Sequence, residues 1–466
     1  MGMKPILKFL FVILLLKPVF GFGMVRLPHI LGSHMVLQQN SKILLWGWSN
    51  PGEKIRVEKD WSGTKDSTIG LNTAKWSLEI ETPKAGGPYT IKIIGSNTLI
   101  LDDVLIGEVW ICSGQSNMEM SADWNSLVMK DVPNANYPSI HLFTVIKSTA
   151  EFPQDDLDGS WTVCTPESMK HFSAVGYYFG KRLFEELKIP VGLISSNWGG
   201  TPAEVWTPKE EILSREDLKQ ASAQLSPSGG WPKEPGFNYN AMIYPLIRFK
   251  IAGTIWYQGE SNVHFNSTYT ELLNILIGSW RKSWGYNFPF YYVQIAPFSG
   301  YAGIEGALLR EAQTKVQGTK GTGMVVVSDL VDDIKDIHPK NKQDVGLRLG
   351  NLALVNHYGI HGIQAQSPDL KSYEVKGKYI ECTISNADQG LMIKGEEPNE
   401  FTIAGEDGKF FPAKAKIKNN KVLVGSKEVP SPKYVRFGFT NSSMPNLFSK
   451  EGLPVNLFRT DSLSGL

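Results

Sequence analysis

The hydroxyl of Ser116 has the strongest claim in this sequence to be a nucleophile. Leu105, Ile106, Val109, Trp110 and Ile111 form a nearly continuous apolar run that reads as a buried strand, and the run breaks at Ser113-Gly114-Gln115, leaving Ser116 and Asn117 at the break. An open α/β sheet carries its chemistry just beyond the carboxyl ends of its strands, so a serine in that first turn sits on rigid backbone and faces a crevice. Serine and asparagine after a strand are equally ordinary turn and cap residues, so the rest of a catalytic set has to be found. A serine hydroxyl needs a base of near-neutral pKa and donors aimed at the oxyanion that forms. His338, fixed before Pro339, is the candidate base and acid, and Asp336 is the candidate to orient its ring. Candidate oxyanion donors are the amides of Ser116 and of Gly199 or Gly200, where paired glycines let backbone approach a substrate oxygen, together with the Gln258 side chain. One such donor is worth about 3 kcal/mol of barrier. Gln115, Asn117, Trp198, Asn240, Glu260 and Asn262 flank these positions and are read as substrate contacts.

These groups need strands to hold them, and the sequence supplies the strands. Residues 191–195, 251–257, 290–295 and 324–328 read as strands, with helices over 173–187, 269–284, 306–317 and 343–358 between and after them. Val175, Phe179, Leu183 and Leu187 recur every four residues in the first helix, which Ser173 can cap and Pro190 stops. Strand and helix in alternation imply a mostly parallel sheet covered on both faces, a three-layer α/β arrangement over residues 104–362. Residues 24–103 differ in texture: short runs alternating at period two, with turn signals such as Asn50-Pro51-Gly52, predict an antiparallel β-sandwich. Residues 363–466 return to strands with no helical period and predict a second β module. The polar stretch 214–237, rich in Ser, Pro and Gly and holding Trp231, reads as a long loop at the border of the site or, equally, as a disordered excursion.

Composition removes several function classes. Forty-seven Lys and Arg nearly balance 46 Asp and Glu, so no basic surface points to nucleic acid. Lys4 and Lys8 precede an apolar run from Phe9 to Leu16 and small residues at Gly21 and Gly23, which reads as a signal peptide over residues 1–23 and predicts a secreted or periplasmic protein with no membrane segment after cleavage. No cysteine stands at the cleavage point to carry a lipid. Cys112, Cys164 and Cys382 are odd in number and far apart, so they read as buried free thiols, and neither they nor the eight scattered histidines show metal-ligand spacing. No metal and no cofactor are expected.

Trp110-Ile111-Cys112-Ser113-Gly114-Gln115-Ser116-Asn117-Met118, Asn197-Trp198-Gly199-Gly200-Thr201, Trp256-Tyr257-Gln258-Gly259-Glu260-Ser261-Asn262 and Asp336-Ile337-His338-Pro339 follow one another in this order. Together they resemble the sialate O-acetylesterase family of carbohydrate esterases, a branch of the SGNH hydrolases. The resemblance extends over essentially the whole chain after residue 23 and implies a flavodoxin-like hydrolase core with N- and C-terminal β-sandwich modules. It implies Ser116 as nucleophile, His338 as base, and Gln258 in the place that many SGNH enzymes give to an oxyanion-hole asparagine, with Asn262 the second choice. The superfamily's acid lies three residues before the histidine, where this chain has Lys335; Asp336, or a backbone carbonyl, is left to orient the ring. The implied activity is hydrolysis of acetyl esters on sugars, with O-acetylated sialic acids as the first substrate class. Sialic acid carries a carboxylate, yet the quoted blocks contain no arginine, which keeps a neutral plant polysaccharide such as xylan or xyloglucan as a rival. Trp198, Trp206 and Trp231 are candidates to stack on sugar faces. A sugar-binding protein without activity is the alternative of another class, and the presence of both Ser116 and His338 speaks against it.

Overall fold

The computed structural model describes residues 24–225 and 230–462, so the signal-peptide segment lies outside the described residues. One strand organises them. Thr98–Gly114 runs for 17 residues, pairing along its first half with Gly86–Ile94 and Val36–Gln38, and along its second half in parallel with Val191–Asn197 on one side and Gly253–Tyr257 on the other. Positions 103 and 104 therefore lie inside a continuous strand, and the N-terminal and central sheets share it.

The central sheet has the order Thr322–Val325, Phe290–Val293, Gly253–Tyr257, Thr98–Gly114, Val191–Asn197, Tyr137–Val145, Gly159–Cys164, parallel throughout except for the last pairing. Its inner strands are apolar at successive positions because both faces are covered. Val109, Ile111, Trp256 and Tyr292 face a layer formed by helices Asn266–Trp284 and Glu305–Val316, meeting Leu276, Trp280 and Leu309. Trp110, Cys112, Tyr257 and Tyr291 face the opposite layer, formed by Ala174–Leu187 and Lys342–Asn356, and meet Phe179, Leu183 and Leu349. The period-two alternation of side chains thus builds three layers. Ser173 caps the Ala174 helix by accepting the Gly176 N–H at 3.0 Å.

Several limits move from their expected places. The strand expected from 251 starts at Gly253, because the Ile251 N–H donates to the Tyr286 hydroxyl at 3.0 Å instead of joining the sheet. The stretch expected to be one long loop contains the helix Glu216–Ala223. The strands Tyr137–Val145 and Gly159–Cys164, which extend the sheet, had no counterpart in the sequence reading. All three cysteines are free and buried.

The β-rich region after residue 363 holds two four-stranded sheets and a two-stranded one around Ile380, Ile403, Val424 and Phe437. Its final segment binds the helix Glu305–Val316 through polar contacts: Arg459 pairs with Glu311 at 2.7 and 2.8 Å, and Asn456 accepts from Gln294 at 2.9 Å.

At the end of the long strand the chain turns at Gly114 with φ +137°, and a Cβ there would stand 2.2 Å from the Tyr257 carbonyl oxygen. The next residue uses that approach, since the Gln115 N–H donates to the same oxygen at 3.0 Å. Gly114→Ala is expected to destabilise the protein by about 2 kcal/mol or more, through positive φ and backbone collision together. Thermal unfolding checks it.

Candidate active site

Ser116 opens the single helical turn Ser116–Glu119 at the carboxyl end of the long strand, where the sheet's order reverses between its two neighbours. His338 reaches it from the loop between Val325 and the helix Lys342–Asn356, with Nε2 2.8 Å from Ser116 Oγ. The expected nucleophile and base, 222 residues apart, are in contact. Burial pushes the imidazole pKa below its ordinary value, the Lys342 ammonium pushes in the same direction, and Asp336 opposes both. The shift favours the neutral imidazole, the state a base requires.

Asp336 does not take the orienting position of a triad acid. Its Oδ1 accepts the backbone N–H of His338 at 2.9 Å and stands 3.7 Å from Nδ1, too far for a hydrogen bond. The ring is placed by its backbone instead. The Ile337 carbonyl accepts from Asn117 Nδ2 at 3.1 Å, and the Trp124 ring lies with its centroid 6.1 Å from that of the imidazole.

Ser116 and His338 line a cavity of about 450 Å³ together with Gln115, Glu119, Trp124, Lys147, Trp198, Gly199, Gly200, Trp231, Glu260, Ser261 and Ile337. Gly199 and Gly200 reach it as expected, and Trp231 closes over Gly200, where a Cβ would meet its ring at 2.6 Å. The Gly199 N–H is already engaged: it donates to Glu119 Oε2 at 2.6 Å, while Glu119 Oε1 accepts from Lys147 Nζ at 2.5 Å.

Four expected contacts are elsewhere. Gln258 is fully buried away from the cavity; its amide donates to Asn262 Oδ1 at 2.7 Å and to the Thr201 carbonyl at 3.3 Å, and its oxygen accepts from the Tyr269 hydroxyl at 2.9 Å. Asn262 is held by Glu204 and by the Ala203 N–H, so neither side-chain amide is presented to an oxyanion. Asn240 donates to the Ala150 and Glu151 carbonyls and fastens a loop. Asn117 is buried beneath the site, not in it. Gln115 and Glu260 do line the cavity, Gln115 Oε1 accepting the Gly259 and Ser261 N–H groups, each at 3.3 Å. Of the tryptophans, Trp198 and Trp231 are at the cavity and Trp206 is core, packed against Trp256.

Sequence reasoning missed Glu119, Trp124, Lys147 and Lys342. Glu119 carries a usable signal, three residues after Ser116 and hence on the same side of one helical turn. Lys147 had none, because it follows the unread strand Tyr137–Val145.

A serine hydroxyl in contact with an imidazole, in a cavity walled by indoles and lined by Gly199 and Gly200, is an arrangement suited to acyl transfer. Residues 106–354 match the family described as carbohydrate esterase, sialic acid-specific acetylesterase. The chain belongs to this family. Among relatives of the esterase, the sialate O-acetylesterase of Pongo abelii is 32% identical over 391 residues, covering 75% of this chain and 74% of the relative, and that of Rattus norvegicus is 29% identical over 476 residues, covering 87% of each. A crystal structure of a carbohydrate acetylesterase from Xanthomonas citri is 34% identical, with a TM-score of 0.87 over 94% of this chain and 100% of that one. The esterase is thus a carboxylic ester hydrolase.

An asparagine at 336 keeps an oxygen for the His338 N–H and loses only the charge. Asp336→Asn in the esterase is expected to lower kcat by about tenfold, far from the ~10⁴ that follows loss of a triad acid. It also removes the Asp336 charge, which raises the His338 pKa, so the acid limb of the pH profile moves to lower pH. Steady-state kinetics across pH read both effects.

Proposed function

We propose that the protein is a secreted carbohydrate O-acetylesterase working through a Ser116–His338 acyl-enzyme, on an SGNH-type core over residues 104–362 flanked by β modules at 24–103 and 363–466. Ser116 Oγ attacks the acetyl carbonyl as Nε2 of His338 takes its proton. The tetrahedral oxyanion faces the Ser116 and Gly199 amides, the latter once Glu119 has moved off. Collapse returns the proton to the departing sugar hydroxyl, and a water activated by the same imidazole releases acetate. The observation that carries the reading is the 2.8 Å contact between Oγ and Nε2 inside the cavity.

The favoured substrate is an O-acetylated sialic acid. The description of the family supports it, and Lys147, at the cavity wall with its ammonium 5.8 Å from the centre of the Trp198 ring, supplies the cation that the sequence blocks lacked. One observation favours a neutral acetylated polysaccharide such as xylan or xyloglucan instead: Lys147 is already paired with Glu119, so the two together offer no net charge. Export rests on the charged and apolar pattern of residues 4–23.

The test is acetate release by the protein beginning at residue 24 from 9-O-acetylated sialic acid and from acetylated xylan, with Ser116→Ala alongside. Release from sialic acid that vanishes in Ser116→Ala is expected. Lys147→Ala is expected to raise KM for the sialic acid about tenfold, the effect of one lost charge-assisted hydrogen bond, and to raise KM for a neutral acetyl ester much less. Ser116-dependent release from xylan alone would keep the mechanism and replace the substrate. Absence of release from both, with no labelling of Ser116 by a serine-directed phosphonate, would leave a binding protein.

A further inference from the structure

Beneath the Ser116–His338 pair lies a buried polar cluster that the mechanism does not use. The Asn117 side chain, fully buried, accepts from Lys342 Nζ at 2.5 Å and donates through Nδ2 to Glu260 Oε1 at 2.6 Å and to the Ile337 carbonyl at 3.1 Å. One amide therefore joins the nucleophile turn, the loop after the strand Gly253–Tyr257, the histidine loop and the start of the helix Lys342–Asn356. Lys342 and Glu260 are themselves buried, and Glu260 Oε2 has no hydrogen-bond partner among the described residues. A lysine and a glutamate withdrawn from water without a direct pairing are costly, and two well-packed apolar residues would be cheaper. The cluster stands where the ring of His338 lacks an orienting acid.

We propose that Lys342 is a positioning residue for His338: through Asn117 it locks the histidine loop to the turn that carries Ser116, and it brings a positive charge beneath that loop. This rests on the reading of Ser116 and His338 as the reacting pair. The charges concerned can be named. His338 feels Asp336 on its own loop and Lys342 on the helix, and Glu260, Glu119 and Lys147 line the same cavity. Lys342 faces Glu260, Asp336 and Asp332, and its ammonium is 5.4 Å from the centre of the Tyr257 ring. Burial pulls the Lys342 pKa down to about 7 against those three carboxylates. It is therefore charged over the acidic range in which His338, itself below its ordinary value, takes up its proton. Removing that positive charge makes the imidazole easier to protonate, so the acid limb of activity must move to higher pH.

The experiment is the pH profile of kcat and kcat/KM for acetate release by the full chain and its Lys342→Gln, Lys342→Met and Lys342→Arg variants, with thermal unfolding of each. Lys342→Gln keeps a donor for Asn117 without the charge; its acid limb is expected to rise by about 1 pH unit, the effect of one neighbouring charge, while kcat on the plateau stays within about threefold of wild type. Lys342→Met loses donor and charge, and adds to the same rise a plateau loss of about tenfold from a misplaced base. Its apolar side chain suits the buried position, so it carries the test if the glutamine variant does not fold. Lys342→Arg keeps the charge and is expected to keep the wild-type limb. Acid limbs for Gln and Met that coincide with wild type would overturn the proposal, whatever their stability. Ser116→Ala separates the two readings: an inactive Ser116→Ala with unmoved limbs sinks this inference alone, whereas acetate release surviving in Ser116→Ala sinks the Ser–His reading and this inference with it.

Discussion

The hydrogen bond from the Gln115 N–H to the Tyr257 carbonyl, at 3.0 Å, fixes the geometry on which the rest of the site depends. It ties the residue before Ser116 to the end of the neighbouring strand, so that the turn carrying Ser116 and the turn carrying Glu260 leave the sheet together. The approach requires residue 114 to be glycine, because a side chain there would occupy the space of the Tyr257 carbonyl. The Gln115 side chain repeats the constraint one level further out by accepting the Gly259 and Ser261 N–H groups. Two loops after parallel strands are thereby made into one rigid floor, as a catalytic constellation needs.

On that floor, protein charges divide by solvent access, and their uses divide the same way. Lys342 and Glu260 are buried, act through Asn117, and bias the protonation of groups around them. Lys147 and Glu119 are partly exposed, touch each other directly, and meet whatever enters the cavity. A buried charge costs several kcal/mol to desolvate and keeps its interactions strong, whereas a partly exposed pair is screened and contributes about 0–1 kcal/mol. The first pair suits the setting of a pKa, and the second suits exchange of partners during binding.

The sequence made the sheet legible because its central strands are buried on both faces and are therefore apolar without interruption, and because Ser173, Pro190 and the four-residue recurrence of Val175, Phe179 and Leu183 mark a helix plainly. Ser116 was legible as a residue in a polar turn directly after such a strand, and His338 as a histidine fixed before Pro339 in the acidic loop that follows another. What stayed hidden is direction. Gln258 and Asn262 follow a hydrophobic strand just as Ser116 does, but their side chains turn inward to Thr201, Glu204 and Tyr269, and nothing in the order of residues reports that turn. Lys147 was hidden for another reason: the strand before it, Tyr137–Val145, carries Pro138, Ser139 and His141 among its apolar residues and does not read as buried. Asp336 was legible as a carboxylate near His338, and only coordinates separate a bond to the backbone N–H from a bond to the ring.

The same distinction between buried and exposed partners decides which expected oxyanion donors are available to a substrate. Presenting the Gln258 amide to the cavity would break its bonds to Asn262, Thr201 and Tyr269 and leave those groups unpaired in the core, at about 1–3 kcal/mol for each orphaned atom. Freeing the Gly199 N–H demands only that Glu119 withdraw. Its side chain is 25% exposed and that of Lys147 42% exposed, so water or a substrate can replace either partner at small cost. Glu119 holds its carboxylate against the Gly199 amide, and its Oε2 and the Ser116 Cβ each stand 3.2 Å from where a Cβ of that glycine would be. A tetrahedral oxyanion formed on Ser116 would require an anion's place against the same amide. The resting structure therefore satisfies with its own carboxylate a donor that, in the reaction proposed here, belongs to the intermediate.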